Sequence, residues 1–270
     1  MSVNFSSIAN LRASGAGSDV VGAIRDASAR TGVDESYLLA QARLESGMNP
    51  DAKASTSSAT GLYQFIDQTW LATVKRHGAK HGLGWAADSI TSGPGGRLSA
   101  GRAERDILDL RKDPAAASAM AAEFASDNQD YLEQRLGRPV GQTDLYMAHF
   151  LGAAGAANFL SGMADNPEQP AATLLPAAAR ANRPVFYQQS GEARSVREVY
   201  ERFAEKLGRS GDMPARTMLA RQESPTARRA LEATRQWVAM QRGTAGDAAP
   251  PSITPSTARL LYLSLTTGQV

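Results

Sequence analysis

The 270-residue sequence predicts a mostly α-helical protein with a small irregular or β flap and a partly flexible, helical carboxy-terminal appendage. Three observations lead there. Alanine is abundant and β-branched runs are rare, which favours helix over sheet. Apolar positions recur at helical spacing in several stretches, and glycine or proline closes most of them. Apolar residues make up 42% of the chain, enough for a sizeable core although cysteine is absent and no disulfide can form. The missing cysteines also exclude thiolate zinc sites and a cysteine nucleophile, while leaving the compartment open.

Residues 1–17 are rich in Ser, Ala and Gly and read as a flexible segment. They show no basic region followed by a continuous apolar stretch, so no Sec-type signal peptide is recognisable. From Asp19 the apolar positions Val20, Val21, Ile24 and Ala27 mark a helix that stops at Gly32. Asp34 is placed to cap a second helix, DESYLLAQARLES, whose core side would be Leu38, Leu39, Ala42 and Leu44 and whose end is Gly47. Residues 51–60 read as an irregular Ala/Ser/Thr loop. GLYQF follows, with Asp67 as the expected N-cap of a helix through Trp70, Leu71 and Val74.

The glycine-rich stretch 78–101 reads as a loop or small flap. Two longer helices are predicted at Pro114–Leu136 and Thr143–Met163. Ser195 and Glu198 form a capping-box pattern that opens a helix to Leu207. Another helix is expected from Ser224-Pro225, followed by the linker GTAGDAAPPSITPST. These boundaries divide the chain into a flexible segment (1–17), one main domain (18–208) and an appendage (209–270).

Charge is uninformative as a whole, since +2 is too small to argue for nucleic acid. From Ser210 onward seven arginines face four acidic residues, a mildly basic tail suited to docking. No window reaches the roughly 18 apolar residues of a membrane span.

The chemistry is concentrated in LAQARLESGMNPDAKASTSSATGLYQFIDQTW, residues 39–70. Glu45 falls in the last turn of its helix. A helix C-terminus disfavours an added negative charge and apolar walls would disfavour it further, the conditions a general acid needs. The bland alternative is a solvated glutamate at a helix end. Gly61-Leu62-Tyr63-Gln64-Phe65 is β-compatible, and a short buried strand would explain its aromatic residues. Gln64 fits that explanation less well, because a buried amide requires partners. An amide facing a cleft can hold a sugar N-acetyl or hydroxyl group while Tyr63 and Phe65 pack beneath it.

Glu45-Ser46, Asn49-Pro50, the Ser/Ala loop, Gly61-Leu62-Tyr63-Gln64-Phe65 and Thr69-Trp70 together resemble the soluble lytic transglycosylase family, which has the goose-type lysozyme fold. The family's third motif, Ala-Tyr-Asn-Ala-Gly, is degenerate here. Ala148-His149-Phe150-Leu151-Gly152 stands in its place, so no role of the family asparagine passes to Phe150. His149 and, one turn away, Tyr146 are cleft candidates, although a lone histidine on an apolar helix is more often a core residue.

The resemblance covers about 25–165. It implies a mechanism with Glu45 as the sole acid–base, cleaving between N-acetylmuramic acid and N-acetylglucosamine to a 1,6-anhydro product. Ser46 would help orient the carboxylate, and Gln64, Tyr63, Phe65, Tyr146 and His149 would contact substrate.

A hydrolase on the same fold, a muramidase or glucosaminidase, would need a second carboxylate. Asp51 begins a loop, and Asp67 has its cap role. A third reading is a non-catalytic wall-binding or assembly protein. No cofactor is expected. His77 and His81 stand at i, i+4, but Gly78 and Gly82 interrupt the helix and no third ligand is apparent, so no metal is expected. The expected partners are peptidoglycan strands, with the appendage docking onto an envelope-spanning machine such as a flagellum or secretion system. The expected place of action is the periplasm or cell wall of a bacterium, by an export route the sequence does not reveal.

Overall fold

The computed structural model describes residues 6–55 and 57–211, with side chains described from Asp19 to Gly208. The expected helix at Ser224-Pro225, the linker and nearly all of the appendage lie outside the described residues. Helices dominate, and the described residues fall into two compact units, up to Glu123 and from Phe124 onward. The boundary falls inside the stretch that the sequence analysis treats as one domain.

In the first unit, α1 (Ser6–Thr31) takes in most of the segment read as flexible, buries Val20, Ile24 and Ala27, and packs against α2 (Glu35–Ser46). Gly32, at φ +78°, lets the chain turn between them. Asp34 caps α2 as expected, its Oδ1 accepting the Ser36 N–H at 2.7 Å, a contact worth about 1 kcal/mol. The buried face of α2 differs from the expected one. Leu38 and Ala42 are buried, but Leu39 and Leu44 are only half-buried. Tyr37, Gln41 and Glu45 share the inner side, because residues four apart lie one above another.

α3 (Asp67–His77) buries Trp70, Leu71 and Val74. The Trp70 indole donates to the Ile107 carbonyl at 2.7 Å, so α3 is tied to α5 (Glu104–Asp109). Asp67 is not the cap of α3. It is the first helical residue, after Ile66, and no side-chain cap bond forms from that cap position. Its N–H is taken by Ser58 Oγ (3.3 Å), while its carboxylate turns to Arg111.

Between α3 and α5 lie α4 (Gly84–Ser89) and the expected flap, a hairpin of β1 (Thr91–Ser92) and β2 (Leu98–Ser99). Thr91 pairs with Ser99 and Ser92 with Leu98. Gln68 on α3 holds the flap with both ends of its amide. Its Nε2 donates to Leu98 O at 3.0 Å, and its Oε1 accepts Leu98 N–H at 2.9 Å.

α6 (Pro114–Leu136) runs through the boundary between the units. The second unit continues with α7 (Gln142–Leu151) and α8 (Ala153–Asp165), where the sequence predicted one helix. Gly152 separates them at φ 74°, ψ 154°, a conformation that no helix contains. Short helices α9 (Ala171–Leu174), α10 (Pro176–Ala181) and α11 (Arg183–Phe186) lead to α12 (Val196–Gly211). The predicted capping box opens α12: Ser195 N–H donates to Glu198 Oε2 at 2.7 Å, and Glu198 N–H to Ser195 Oγ at 3.1 Å. α7, α8 and α12 pack together over Phe150, Phe159, Val199 and Phe203. Among the described residues, no helix is long and apolar enough to cross a membrane.

Candidate active site

Glu45 ends the buried face of α2 and is itself buried, only 6% exposed. Gly47 follows in the left-handed conformation (φ 63°, ψ 32°), and Met48 also has positive φ, so the chain leaves the helix sharply. Tyr37, two turns earlier, is buried beside it. Burial, then the Glu45 charge, then Tyr63, push the Tyr37 hydroxyl pKa up, which keeps that hydroxyl a neutral neighbour of the carboxylate. The i, i+4, i+8 spacing of Tyr37, Gln41 and Glu45 was a readable signal for this polar stripe, one the sequence analysis passed over.

Ser46 links the helix end to the GLYQF turn. Its Oγ lies 2.8 Å from Leu62 O and 3.1 Å from Ala42 O, and it accepts the Asn49 N–H at 3.1 Å. The one hydroxyl proton can serve either carbonyl. Its hydroxyl is therefore occupied in joining the two halves of the motif.

Gly61–Phe65 is a tight turn closed by the Thr60–Phe65 bridge, and not the short strand that β-propensity allowed. Gly61 has φ +84°, and a Cβ there would lie 1.9 Å from the Arg111 carbonyl oxygen, so only glycine fits. Gln64 has φ +48°, a strained value for a residue with a Cβ. Its side chain is held inward, with Nε2 donating to Gly61 O (2.8 Å) and Ala52 O (3.1 Å). Both partners can only accept, which fixes the orientation of the amide. These two bonds engage the nitrogen end of the amide.

Tyr63 and Phe65 are buried, and Phe65 meets Trp70 edge-on at 5.3 Å between centroids. Burial pushes the Tyr63 hydroxyl pKa up, and the nearby Ser118 hydroxyl draws it back in part. Both aromatic rings thus face the interior and shape the turn that carries Gln64.

Arg111 was missed by the sequence analysis. Its Nη1 lies 2.8 Å from Ser58 O, 2.9 Å from Phe65 O and 2.8 Å from Asp67 Oδ1, and its Nε donates to Leu108 O at 2.8 Å. Burial lowers its pKa, and the Asp67 charge and hydrogen bond oppose that shift. No local pattern in DLRKDP announces this, because its partners stand 44 to 53 residues earlier.

His77 and His81 do meet a third residue. His77 Nδ1 lies 3.0 Å from Glu123 Oε2, and His81 Nε2 lies 2.7 Å from Glu123 Oε1. Glu123 comes from α6, beyond the reach of any local motif. Burial alone would raise the Glu123 pKa. The His81 hydrogen bond and the His77 and Lys80 charges outweigh it and hold the carboxyl below its usual value. Among the described residues no group is arranged to hold a metal ion.

Tyr146 and His149 belong to the second unit. Their rings stack 5.9 Å apart, and Tyr146 is buried against Phe203 at 5.8 Å. Phe150 lies 4.9 Å from Phe203, so the residue standing where the family has asparagine is a core side chain.

Ser46 thus joins the helix end that carries Glu45 to the turn that carries Tyr63, Gln64 and Phe65. Residues 22–91 match the family model described as transglycosylase SLT domain, and over this stretch the chain is similar to the lytic transglycosylase family, whose action is on peptidoglycan.

Proposed function

We propose that the protein is a peptidoglycan lytic transglycosylase that cleaves the β-1,4 bond between N-acetylmuramic acid and N-acetylglucosamine, with Glu45 as its only acid–base. The observation that carries this reading is the buried carboxyl of Glu45 at the end of α2, joined through Ser46 to the turn that presents Gln64. Protonated Glu45 gives its proton to the glycosidic oxygen. The C1–O bond breaks, and its electron pair leaves with the N-acetylglucosamine oxygen. The Glu45 carboxylate then takes the proton of the muramoyl C6 hydroxyl as O6 bonds to C1. The carboxyl is regenerated, and no water enters.

Gln64 Oε1 accepts a sugar N–H or O–H. Ser46, Tyr63 and Phe65 position that turn, and Tyr146 and His149 are second-unit candidates for substrate contact. Two observations favour this route over hydrolysis. Within the matched segment Asp51 is exposed and Asp67 is engaged with Arg111, whereas hydrolysis calls for a second carboxylate beside the acid.

The test is mass spectrometry of the soluble products from purified peptidoglycan, comparing wild type with Glu45→Gln. Anhydromuropeptides from wild type alone support the proposal, with a loss in the variant of at least roughly 10²–10⁴-fold. Reducing-end products move the protein to the hydrolases, and an absence of Glu45-dependent products leaves a wall-binding protein. Action at the bacterial cell wall belongs to the same reading, as does docking of residues 209–270 onto an envelope-spanning machine. A chain ending at residue 208 should lose its localisation, and unchanged localisation refutes the docking role.

A further inference from the structure

We propose that Arg111 is a positioning residue for the active site, which acts by holding Gln64 in the left-handed conformation that aims its amide. The inference rests on the reading of Gln64 as a substrate contact.

A residue with a Cβ stays at positive φ only where its surroundings over-determine it. At Gln64 those surroundings converge on Arg111. Nη1 takes the carbonyls of Ser58, before the turn, and Phe65, its last residue. Gly61, inside the turn, lies against the backbone of Arg111 itself. Gly61 O, whose place is set in this way, accepts both the backbone N–H of Gln64 (3.2 Å) and its Nε2 (2.8 Å). Ala52 O completes the frame by accepting from Gly61 N–H (2.7 Å) and Gln64 Nε2 (3.1 Å). Each constraint on Gln64 thus passes through a group that Arg111 touches or through one hydrogen-bonded to such a group.

The chemistry of the side chain matters here. The pair with Asp67, whose side chain is 40% exposed, adds little net stability by itself. An apolar residue could not donate to the Ser58, Phe65 and Leu108 carbonyls. A lysine would keep the charge opposite Asp67, yet a single ammonium lacks the planar fork that reaches Leu108 on one side and the turn on the other. Asp67 compensates the charge that burial disfavours.

The experiment uses the full chain with Arg111→Lys, Gln64→Ala and the double variant, and Asp67→Asn as a milder perturbation should Arg111→Lys not fold. Two readouts separate positioning from bulk stability. The first is the Gln64 side-chain amide in NMR, identified by its loss in Gln64→Ala. Solvent exchange of these protons should speed up at least about ten-fold in Arg111→Lys while the circular dichroism of the helices is unchanged. The second is kcat and KM for release of soluble muropeptides. Arg111→Lys should lower kcat/KM about ten-fold in the wild-type background and by less than about two-fold in the Gln64→Ala background, since coupled residues are non-additive.

An unchanged Gln64 amide, or the same fold loss in both backgrounds, overturns the proposal. The amide readout needs no turnover. If wild type yields no Glu45-dependent products, the proposed function fails while the amide still decides whether Arg111 holds Gln64.

Discussion

Two short turns of the first unit make an instructive pair. The Gly61–Phe65 turn and the Thr91–Ser99 hairpin are both glycine-bearing, and both are closed by antiparallel bridges. In the hairpin the left-handed positions are glycines, Gly95 (φ 67°) and Gly96 (φ 76°), with open space around them. Gln68 is the side chain from outside the hairpin that brackets Leu98. In the GLYQF turn one left-handed position is Gln64, and the turn is gripped by Arg111, by Ser46 and by its own side-chain amide. A flap can meet its backbone requirements with glycine and stay open. A turn that must present a side chain from a strained position needs the rest of the unit around it.

The comparison can be broken at its glycines. Gly61→Ala should cost roughly 4 kcal/mol or more in unfolding free energy, the range of severe clashes, because a Cβ there meets backbone that cannot move aside. Gly95→Ala, strained but unobstructed, should cost about 1–2 kcal/mol. Equal costs by denaturant titration would show that Arg111 does not enclose the first turn more tightly than solvent encloses the second.

Gln68→Ala sharpens the contrast from the flap side. Loss of both contacts to Leu98 should cost about 1–2 kcal/mol and speed proteolytic cleavage between Gly93 and Arg97, with Glu45-dependent activity retained. A larger activity loss than that of Arg111→Lys would make the flap the more demanding element.

The smallest effect concerns a buried polar cluster that holds no strained backbone, His77–Glu123–His81. The folded pKa of Glu123 lies below its ordinary value of 4.5. Its contribution to stability is therefore present in full above that value and is lost as pH falls through the lower folded value. The stability gap between wild type and Glu123→Gln should narrow as pH drops below about 4.5, when followed by thermal unfolding across pH. A gap that widens toward acid would reverse the assigned sign.

Much of the helical scaffold was legible because its signals are local. Asp34 before α2, Gly47 after it and the Ser195/Glu198 box each act within one helical turn. The order of Glu45-Ser46 and the GLYQF segment carried the family resemblance, and the Ser46 contact with Leu62 O joins the two stretches. The errors share a cause. Asp67 reads as a cap until its carboxylate finds Arg111 44 residues away. The stretch 143–163 reads as one helix because glycine is tolerated in helices, and the φ, ψ of Gly152 is set by its surroundings. The strand that the GLYQF aromatic residues allowed was one of two open readings, because β-propensity records half-buried packing and not backbone direction.

By itself the sequence determined the helical class and the caps at Asp34, Gly47 and Ser195/Glu198, all set by interactions within a few residues. The tertiary structure alone decided that Gln64 would be left-handed, with its amide nitrogen on Gly61 O and Ala52 O, and that Arg111 and Glu123 would serve the first unit. Arg111 reaches Ser58 and Phe65, and Glu123 reaches His81, across 42 to 53 residues of chain, a separation over which local spacing carries no signal.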